Sequence, residues 1–337
     1  MKTIIEKLIN FKDLTKEEAS FAMNEIMEGK VNPSQISAFL ISLRMKGEKI
    51  DEILGCATVM REKAEKVNFI GDSIDIVGTG GDCRNTFNIS TCCAIVVSAC
   101  GVPVAKHGNR SVSSKCGSAD VLECLGTNIN LNKEQAEICL KQAGICFMFA
   151  PNFHKSMKFV APTRKELGIR TIFNILGPLS NPAHSPYMLL GVYDINLLEP
   201  FANVLKGLGV KGAMVVHSED GLDEISISAN TNVCELKNGE IKRYVISPLD
   251  FSIPISPIEQ IKGADASKNS EIILSILKGE KGAKRDIVLF NSGAALYIAK
   301  KANSIQQGIE IAKEVIDSGK AIKKLEEYKK VSNSIVS

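Results

Sequence analysis

The stretch Ile74–Thr91, IDIVGTGGDCRNTFNIST, decides how the rest of the chain is read. Its first apolar residues, Ile74, Ile76 and Val77, predict a short buried strand. The run ends in Gly78-Thr79-Gly80-Gly81-Asp82. Asn88-Ile89-Ser90-Thr91 then supplies cap residues for a helix that continues through Ile95, Val96 and Val97. Strand, glycine loop and helix N-terminus, in that order, suit an anion. Glycine lets the main chain approach a ligand closely, and the free N–H groups at a helix start attract phosphate. Taken alone, the loop also fits a plain tight turn. It is neither a Walker A loop, since no Gly-Lys-Ser/Thr follows, nor a GxGxxG dinucleotide fingerprint.

The 337 residues suffice for one large or two ordinary domains. A hydrophobic share of 45% with 23% charged residues is the balance of a soluble globular protein. The net charge of +3 is too small to argue for nucleic acid. The opening MKTIIEKLINF has no uninterrupted apolar core of the signal-peptide kind, and no apolar run is long enough for a bilayer. Ten cysteines without a disulfide or CxxC pattern predict reduced thiols and a cytoplasmic location. Four histidines and the wrong spacings argue against zinc.

Residues 1 to about 67 read as helical throughout. Thr15 and Glu18 form a capping-box pattern, and Asn32-Pro33 is an N-cap followed by proline at the first helical position. Ile36, Phe39, Leu40 and Leu43 share one helical face; Ile53, Leu54, Ala57 and Met60 share another. So small a unit buries little alone and should pack on the remainder or on a second subunit. From residue 74 strands alternate with helices. The predicted strands are 74–77, 102–106, 145–149, 188–193 and 213–217. The predicted helices include 90–100, 119–125, 133–143, 197–208, 268–277, 284–301 and 305–318. This is an α/β layout: a small N-terminal helical domain (1–68) and a larger α/β domain (69–337) with a mostly parallel central sheet flanked by helices. Asn238-Gly239 between two alternating runs predicts an antiparallel hairpin with a type I′ turn. The Lys/Glu-rich tail after Lys320 reads as a solvated helix face.

A second polar constellation, Lys106-His107-Gly108-Asn109-Arg110-Ser111-Val112-Ser113-Ser114 with Ser118, follows the strand predicted at 102–106. It should therefore share the carboxyl edge of the sheet with the glycine loop, where open α/β sheets bind ligands. Lys106 and Arg110 bring positive charge, and the hydroxyls and backbone N–H groups suit phosphate oxygens. A third, Asp220-Gly221-Leu222-Asp223-Glu224, offers adjacent carboxylates. These are either solvated charge or, beside a phosphate, a Mg²⁺ site. A fourth runs from Pro151 and His154 through Arg164 and Arg170 to Gly177-Pro178. Arg164 can grip a carboxylate bidentately or pair with a surface acid, while His107 and His154 are acid-base groups or structural histidines. No nucleophile-base pair stands out. Group transfer from a phosphorylated donor, driven by positioning and charge stabilisation, fits best.

At this point the chain closely resembles the anthranilate phosphoribosyltransferases. The resemblance rests on GTGGD followed by TFNIST, KHGNRSVSSKCGSADVLE, FMFAP, APTRKELGIRTIFNILGPLSNPA and DGLDEIS, in that order over nearly the whole chain. It implies transfer of the phosphoribosyl group of phosphoribosyl pyrophosphate to anthranilate in tryptophan biosynthesis, with Mg²⁺. It also implies a homodimer built through the helical domain, which part of 160–185 would join. Carried over by motif, Gly78, Gly81, Asp82, Thr86, Asn88, Ile89, Ser90 and Thr91 would contact the donor. Lys106, His107, Gly108, Asn109, Arg110, Ser111, Val112, Ser113, Ser114 and Ser118 would wrap it. Gly78, Asn109, Arg164, His107 and Pro178 would form the anthranilate pocket, and Ser90, Asp223 and Glu224 would ligate the metal. The chain departs from the family pattern at Cys83, where glycine is usual, at Cys116, where serine is common, and around Phe153-His154-Lys155, where a His-Pro pair is usual.

Two rival readings differ in their demands. A pyrimidine nucleoside phosphorylase on the same fold would take inorganic phosphate at the glycine loop and a nucleobase near Arg164. A non-catalytic, nucleic-acid-binding relative would need a broad basic patch and a damaged donor site. With no such charge and no membrane segment, the expected partners are the two substrates and a second copy of the chain.

Overall fold

A computed structural model describes residues 1–111 and 116–335. The chain begins with helices α1 (Lys2–Ile9), α2 (Lys16–Met27), α3 (Pro33–Lys46) and α4 (Ile50–Lys63). The sequence signals for their ends are formed. Thr15 Oγ1 accepts the Glu18 N–H at 3.3 Å while the Glu18 carboxylate accepts the Thr15 N–H at 3.0 Å. Asn32 Oδ1 accepts the Gln35 N–H at 2.9 Å ahead of Pro33. The predicted apolar faces are buried, except that Leu54 is only half-buried. Apolar spacing missed Glu52, which is fully buried, sits 3.0 Å from the Lys46 ammonium, and accepts the Leu14 N–H at 2.9 Å.

The remainder alternates as expected, in two stretches. The first comprises β1 (Ile74–Gly78), α5 (Ile89–Ala99), β2 (Val104–Gly108), α6 (Ser118–Cys124), α7 (Lys133–Ala143), β3 (Ile145–Phe149), α8 (Ala150–Phe153), α9 (Ala161–Leu167) and α10 (Phe173–Leu179). The second comprises β4 (Tyr187–Gly191), α11 (Leu198–Gly207), β5 (Gly212–Ser218), β6 (Thr231–Lys237), β7 (Glu240–Ile246), α12 (Ala266–Leu277), α13 (Ala283–Ile298), α14 (Ile305–Asp317) and α15 (Lys320–Ser334). The strands form one sheet in the order β3-β2-β1-β4-β5-β6-β7. The first five are parallel, and the last two add an antiparallel hairpin. Its turn carries φ of 53° at Asn238 and 80° at Gly239, the positive pair a type I′ turn demands. Strand order reverses around β1, so the loops after β1 and β2 emerge at the edge where ligands bind in such sheets.

Two cores cover the two faces of the sheet, and the period of two along each strand assigns residues between them. Leu189, Met214 and Val216 join α5, α13 and α14 on one side. Met188, Leu190, Ala213 and Val215 join α2, α3, α4, α10 and α11 on the other. The N-terminal helices thus bury their apolar faces against the sheet and the segment around 160–179.

Two expectations need correction. The second strand starts at Val104 rather than Val102, because the Val102 N–H turns back to the Val97 carbonyl of α5 at 3.3 Å. It also runs on to Gly108, so His107 and Gly108 are strand residues. The tail is not simply solvated. Ala321, Leu325 and Tyr328 of α15, spaced four and three apart, make a buried stripe inside the Lys/Glu run, and the Tyr328 hydroxyl accepts the Phe147 N–H at 3.1 Å.

Candidate active site

β1 delivers the glycine loop to the carboxyl edge. Pairing with β4 continues one residue beyond the strand, with the Thr79 N–H donating to the Gly191 carbonyl at 2.9 Å. The Gly80 N–H then donates to Asp223 Oδ2 at 2.7 Å. Both glycines facing Asp223 are fixed by space: a Cβ on Gly78 would lie 2.5 Å from its Oδ2, and one on Gly191 would lie 1.6 Å from its carbonyl oxygen. Arg170 tethers the far side of the loop. Its guanidinium donates to the Gly81 carbonyl at 2.7 Å and stacks 4.4 Å from the Tyr193 ring centre. Asp82 Oδ1 accepts the Arg84 N–H at 3.2 Å, and Cys83 takes a positive φ of 58°. Thr86 bridges to Lys262.

The start of α5 differs from the expected capping. Asn88 occupies the N-cap position but makes no side-chain cap bond. Its Nδ2 donates to the Cys116 carbonyl at 3.2 Å and its Oδ1 accepts from Asn269 at 2.9 Å, so it ties the second polar loop to α12. The Glu224 carboxylate instead lies against the Ser90 N–H, an acid placed at the positive end of a helix. Ile89 donates its N–H to the Phe87 carbonyl at 2.7 Å. Thr91 Oγ1 is buried and has no partner among the described residues.

Asp223 and Glu224 therefore hang between the glycine loop and the helix start. Burial, and then the Asp82 charge, push the Asp223 carboxyl up to about 7. Burial, and then Asp223, push Glu224 up to about 8. This is a cluster short of positive charge. Lys106 partly meets it: buried, it donates to Ser90 Oγ at 3.2 Å and to the Ile76 carbonyl at 2.5 Å. Burial lowers its pKa, opposed by Asp75 and Glu224. Among the described residues no three His, Cys, Asp or Glu side chains form a closed metal cage. A buried and a half-buried carboxylate beside a hydroxyl and an anion loop do fit a hard divalent ion that takes its remaining ligands from water and phosphate.

In the second polar loop, Arg110 is already engaged. It lies 2.7 Å from Asp120 and 2.6 Å from Glu123, and those bonds, Glu123 first, raise its pKa. Asn109 Oδ1 accepts the Arg110 N–H at 2.8 Å, and the Asn109 carbonyl accepts from Ser118 Oγ at 3.2 Å. Gly108 lies directly under Ser118 and Phe147, and the Ser111 N–H reaches Asp120 at 3.4 Å. Val112, Ser113 and Ser114 lie outside the described residues.

On the acceptor side, His107 Nε2 lies 3.2 Å from His154 Nε2, and both rings are buried. Burial drives His107 well down and His154 to about 4, so both are neutral at neutral pH. Arg164 on α9 is half-buried, with its guanidinium 5.1 Å from the Phe173 ring centre and no carboxylate partner among the described residues. Burial lowers its pKa.

Comparison with known proteins agrees with this geometry. Residues 2–64 match a glycosyl transferase family helical bundle domain, and residues 71–322 match a glycosyl transferase family a/b domain. The anthranilate phosphoribosyltransferase of Alkaliphilus metalliredigens is 55% identical over 336 residues, covering 99% of each chain. The chain belongs to the anthranilate phosphoribosyltransferase family. A crystal structure of the Thermus thermophilus member superposes with a TM-score of 0.93 at 40% identity, covering 98% of this chain and 99% of that one. The Saccharomyces cerevisiae member, solved in complex with PRPP and Mg, gives 0.91 at 27% identity, covering 99% and 98%.

Several residues that shape the anthranilate phosphoribosyltransferase site here went unread in the sequence. Gly191 makes room for Asp223. Asn291 on α13 accepts the Ile225 N–H at 3.0 Å and donates to its carbonyl at 2.8 Å, fixing the residue after Glu224. Asp75, fully buried in β1, was the legible case: a carboxylate inside an apolar strand needs a partner.

Proposed function

We infer that this protein transfers the 5-phosphoribosyl group of phosphoribosyl pyrophosphate to anthranilate, giving N-(5-phosphoribosyl)anthranilate and pyrophosphate for tryptophan biosynthesis. The carrying observation is the junction at Asp223 and Glu224. One carboxylate takes the N–H of Gly80 in the glycine loop, and the other lies against the N–H of Ser90 at the start of α5. An anion cradle and an acidic pair are thereby built as one unit, as a pyrophosphate leaving group with its counter-ion requires.

In this reading the donor lies over Gly78, Gly81 and Asp82, with its phosphates toward Asn88, Ser90 and Thr91. Ser90, Asp223 and Glu224 hold Mg²⁺, which when bound neutralises pyrophosphate charge. The buried Lys106 adds positive charge beneath them. Asn109, Arg164, His107 and Pro178 line the acceptor pocket, with Arg164 facing the anthranilate carboxylate. The aromatic amine is neutral at neutral pH and needs no strong base. Two neutral, hydrogen-bonded histidines suit a pocket wall better than a proton acceptor. Attack on the anomeric carbon proceeds through an oxocarbenium-like transition state without a covalent enzyme intermediate. The protein works as a cytoplasmic homodimer joined through residues 1–68, helped by part of 160–185, with 69–337 as the catalytic domain.

The test is product analysis. Anthranilate, phosphoribosyl pyrophosphate and Mg²⁺ should yield N-(5-phosphoribosyl)anthranilate and pyrophosphate in equal amounts, with no phosphorolysis of thymidine or uridine. Phosphorolysis without transfer would move the assignment to a nucleoside phosphorylase.

A further inference from the structure

β1 and β2 are neighbours in the sheet, yet they pair only at Ile74 with Val104, whereas β1 with β4 and β2 with β3 pair along their full lengths. The Ile74 N–H still reaches the Pro103 carbonyl at 2.9 Å. Continued in that register, a parallel ladder would next join the Ile76 N–H to the Ala105 carbonyl, then the His107 N–H to the Ile76 carbonyl. The pairing stops at Ile74, and three of the four backbone groups are engaged by side chains. The Ala105 carbonyl accepts from Asn181 Nδ2 at 2.8 Å. The His107 N–H donates to Asp75 Oδ1 at 3.3 Å. The Ile76 carbonyl accepts from Lys106 Nζ at 2.5 Å. Asn181 Nδ2 also donates to Asp75 Oδ2 at 2.7 Å, and Asn181 Oδ1 accepts the Ala183 N–H at 2.8 Å. Asp75, Lys106 and Asn181 are all buried.

We propose that Asp75 and Asn181 are positioning residues: they form a polar wedge that holds the carboxyl ends of β1 and β2 apart. The wedge thereby sets the spacing between the glycine loop and the Lys106–Asn109 run, and seats the Lys106 ammonium beneath Ser90. Neither residue touches substrate. A splayed pair of parallel strands is costly unless the freed backbone groups find partners in the dry interior, and side chains here supply three of them. The arrangement serves the gap rather than the sheet, because an ordinary ladder would satisfy the same groups with no side chains at all. The proposal rests on the assignment of the donor to these two loops.

The experiment compares Asn181→Ala and Asp75→Asn with the parent chain in steady-state kinetics and in amide hydrogen exchange. Asn181→Ala strands the Ala105 carbonyl. Asp75→Asn sets an amide donor against either the Asn181 amide or the His107 N–H and removes the charge that holds the other. Each folded variant should raise KM for phosphoribosyl pyrophosphate by about tenfold or more, with KM for anthranilate changed by less than about threefold. Asp75→Asn should also speed exchange at the His107 amide. Because both substitutions dismantle one device, the double variant should fall well short of the product of the two effects. Should Asn181→Ala fail to fold, Asn181→Ser, whose hydroxyl can still donate to Ala105, is judged by the same criterion and should be milder. An unchanged donor KM, or equal rises for both substrates, in a folded variant overturns the proposal. A parent chain inert toward both substrates counts against the donor assignment instead, and the wedge is then judged by exchange alone: unchanged protection at His107 in Asp75→Asn overturns it.

Discussion

Arg164 combines a half-buried guanidinium, an aromatic face beneath it and no acidic partner among the described residues. A planar cation left unpaired in this way suits a bidentate carboxylate. Arg164→Ala should raise KM for anthranilate at least about tenfold and leave that for phosphoribosyl pyrophosphate within about twofold, with Arg164→Lys recovering little. Steady-state kinetics in both substrates decide it, and equal effects would contradict the role. His154 makes a pH prediction. Its pKa is lowered from 6.5 to about 4 by burial. A depressed folded value stabilises the fold above the unfolded value and loses that contribution as pH falls through the folded one. His154→Asn should therefore flatten the stability loss between pH 6.5 and about 4, by roughly 3 kcal/mol in denaturant titrations. Asp75, raised to about 6 mainly by burial, slopes the opposite way over much of that range. The comparison must therefore be made between variants, and an unchanged slope would show that His154 is not buried neutral. Arg164 and His154 were both visible in the sequence as chemistry-bearing types. Gly191 was not, because its need for a missing side chain comes from Asp223, a partner remote in the chain.

At the scale of elements, the helix start of α5 and the Asp223–Glu224 loop act as one part. Asp223→Asn with Glu224→Gln should abolish most Mg²⁺-dependent turnover while circular dichroism and the melting curve show an intact fold. Metal-free stability should hold or rise, because neutral isosteres replace a buried and a half-buried acid. Retained turnover would refute the metal assignment. Most elements could be read from the sequence because local rules agree with the fold: period two for the strands, capping for Thr15 and Asn32, positive φ for Asn238-Gly239. The exceptions arise where one element borrows from another. Asn88 looked like a cap, but Glu224 lies against the Ser90 N–H and leaves Asn88 to join Cys116 and Asn269. The strand read at 102–106 carried no sign that Asp75, Lys106 and Asn181 would interrupt its pairing with β1. Long-range partners of this kind leave no periodic trace in the sequence.

Across the whole molecule, the helical unit buries one side against the sheet and leaves Ile9, Phe11, Phe21 and Met45 exposed. Exposed apolar side chains on so small a unit favour a second copy of the chain as their cover. Sedimentation equilibrium should give twice 36.5 kDa, and Phe21→Glu with Met45→Glu should shift the mass toward the monomer. A parent chain that is monomeric at micromolar concentration would contradict the dimer. The central claim concerns chemistry, and anthranilate fluorescence tests it most directly. In the presence of the folded protein, the fluorescence should decay only when phosphoribosyl pyrophosphate and Mg²⁺ are both added, and should stop when either is withheld. A folded protein that leaves the fluorescence unchanged with both present would contradict the account.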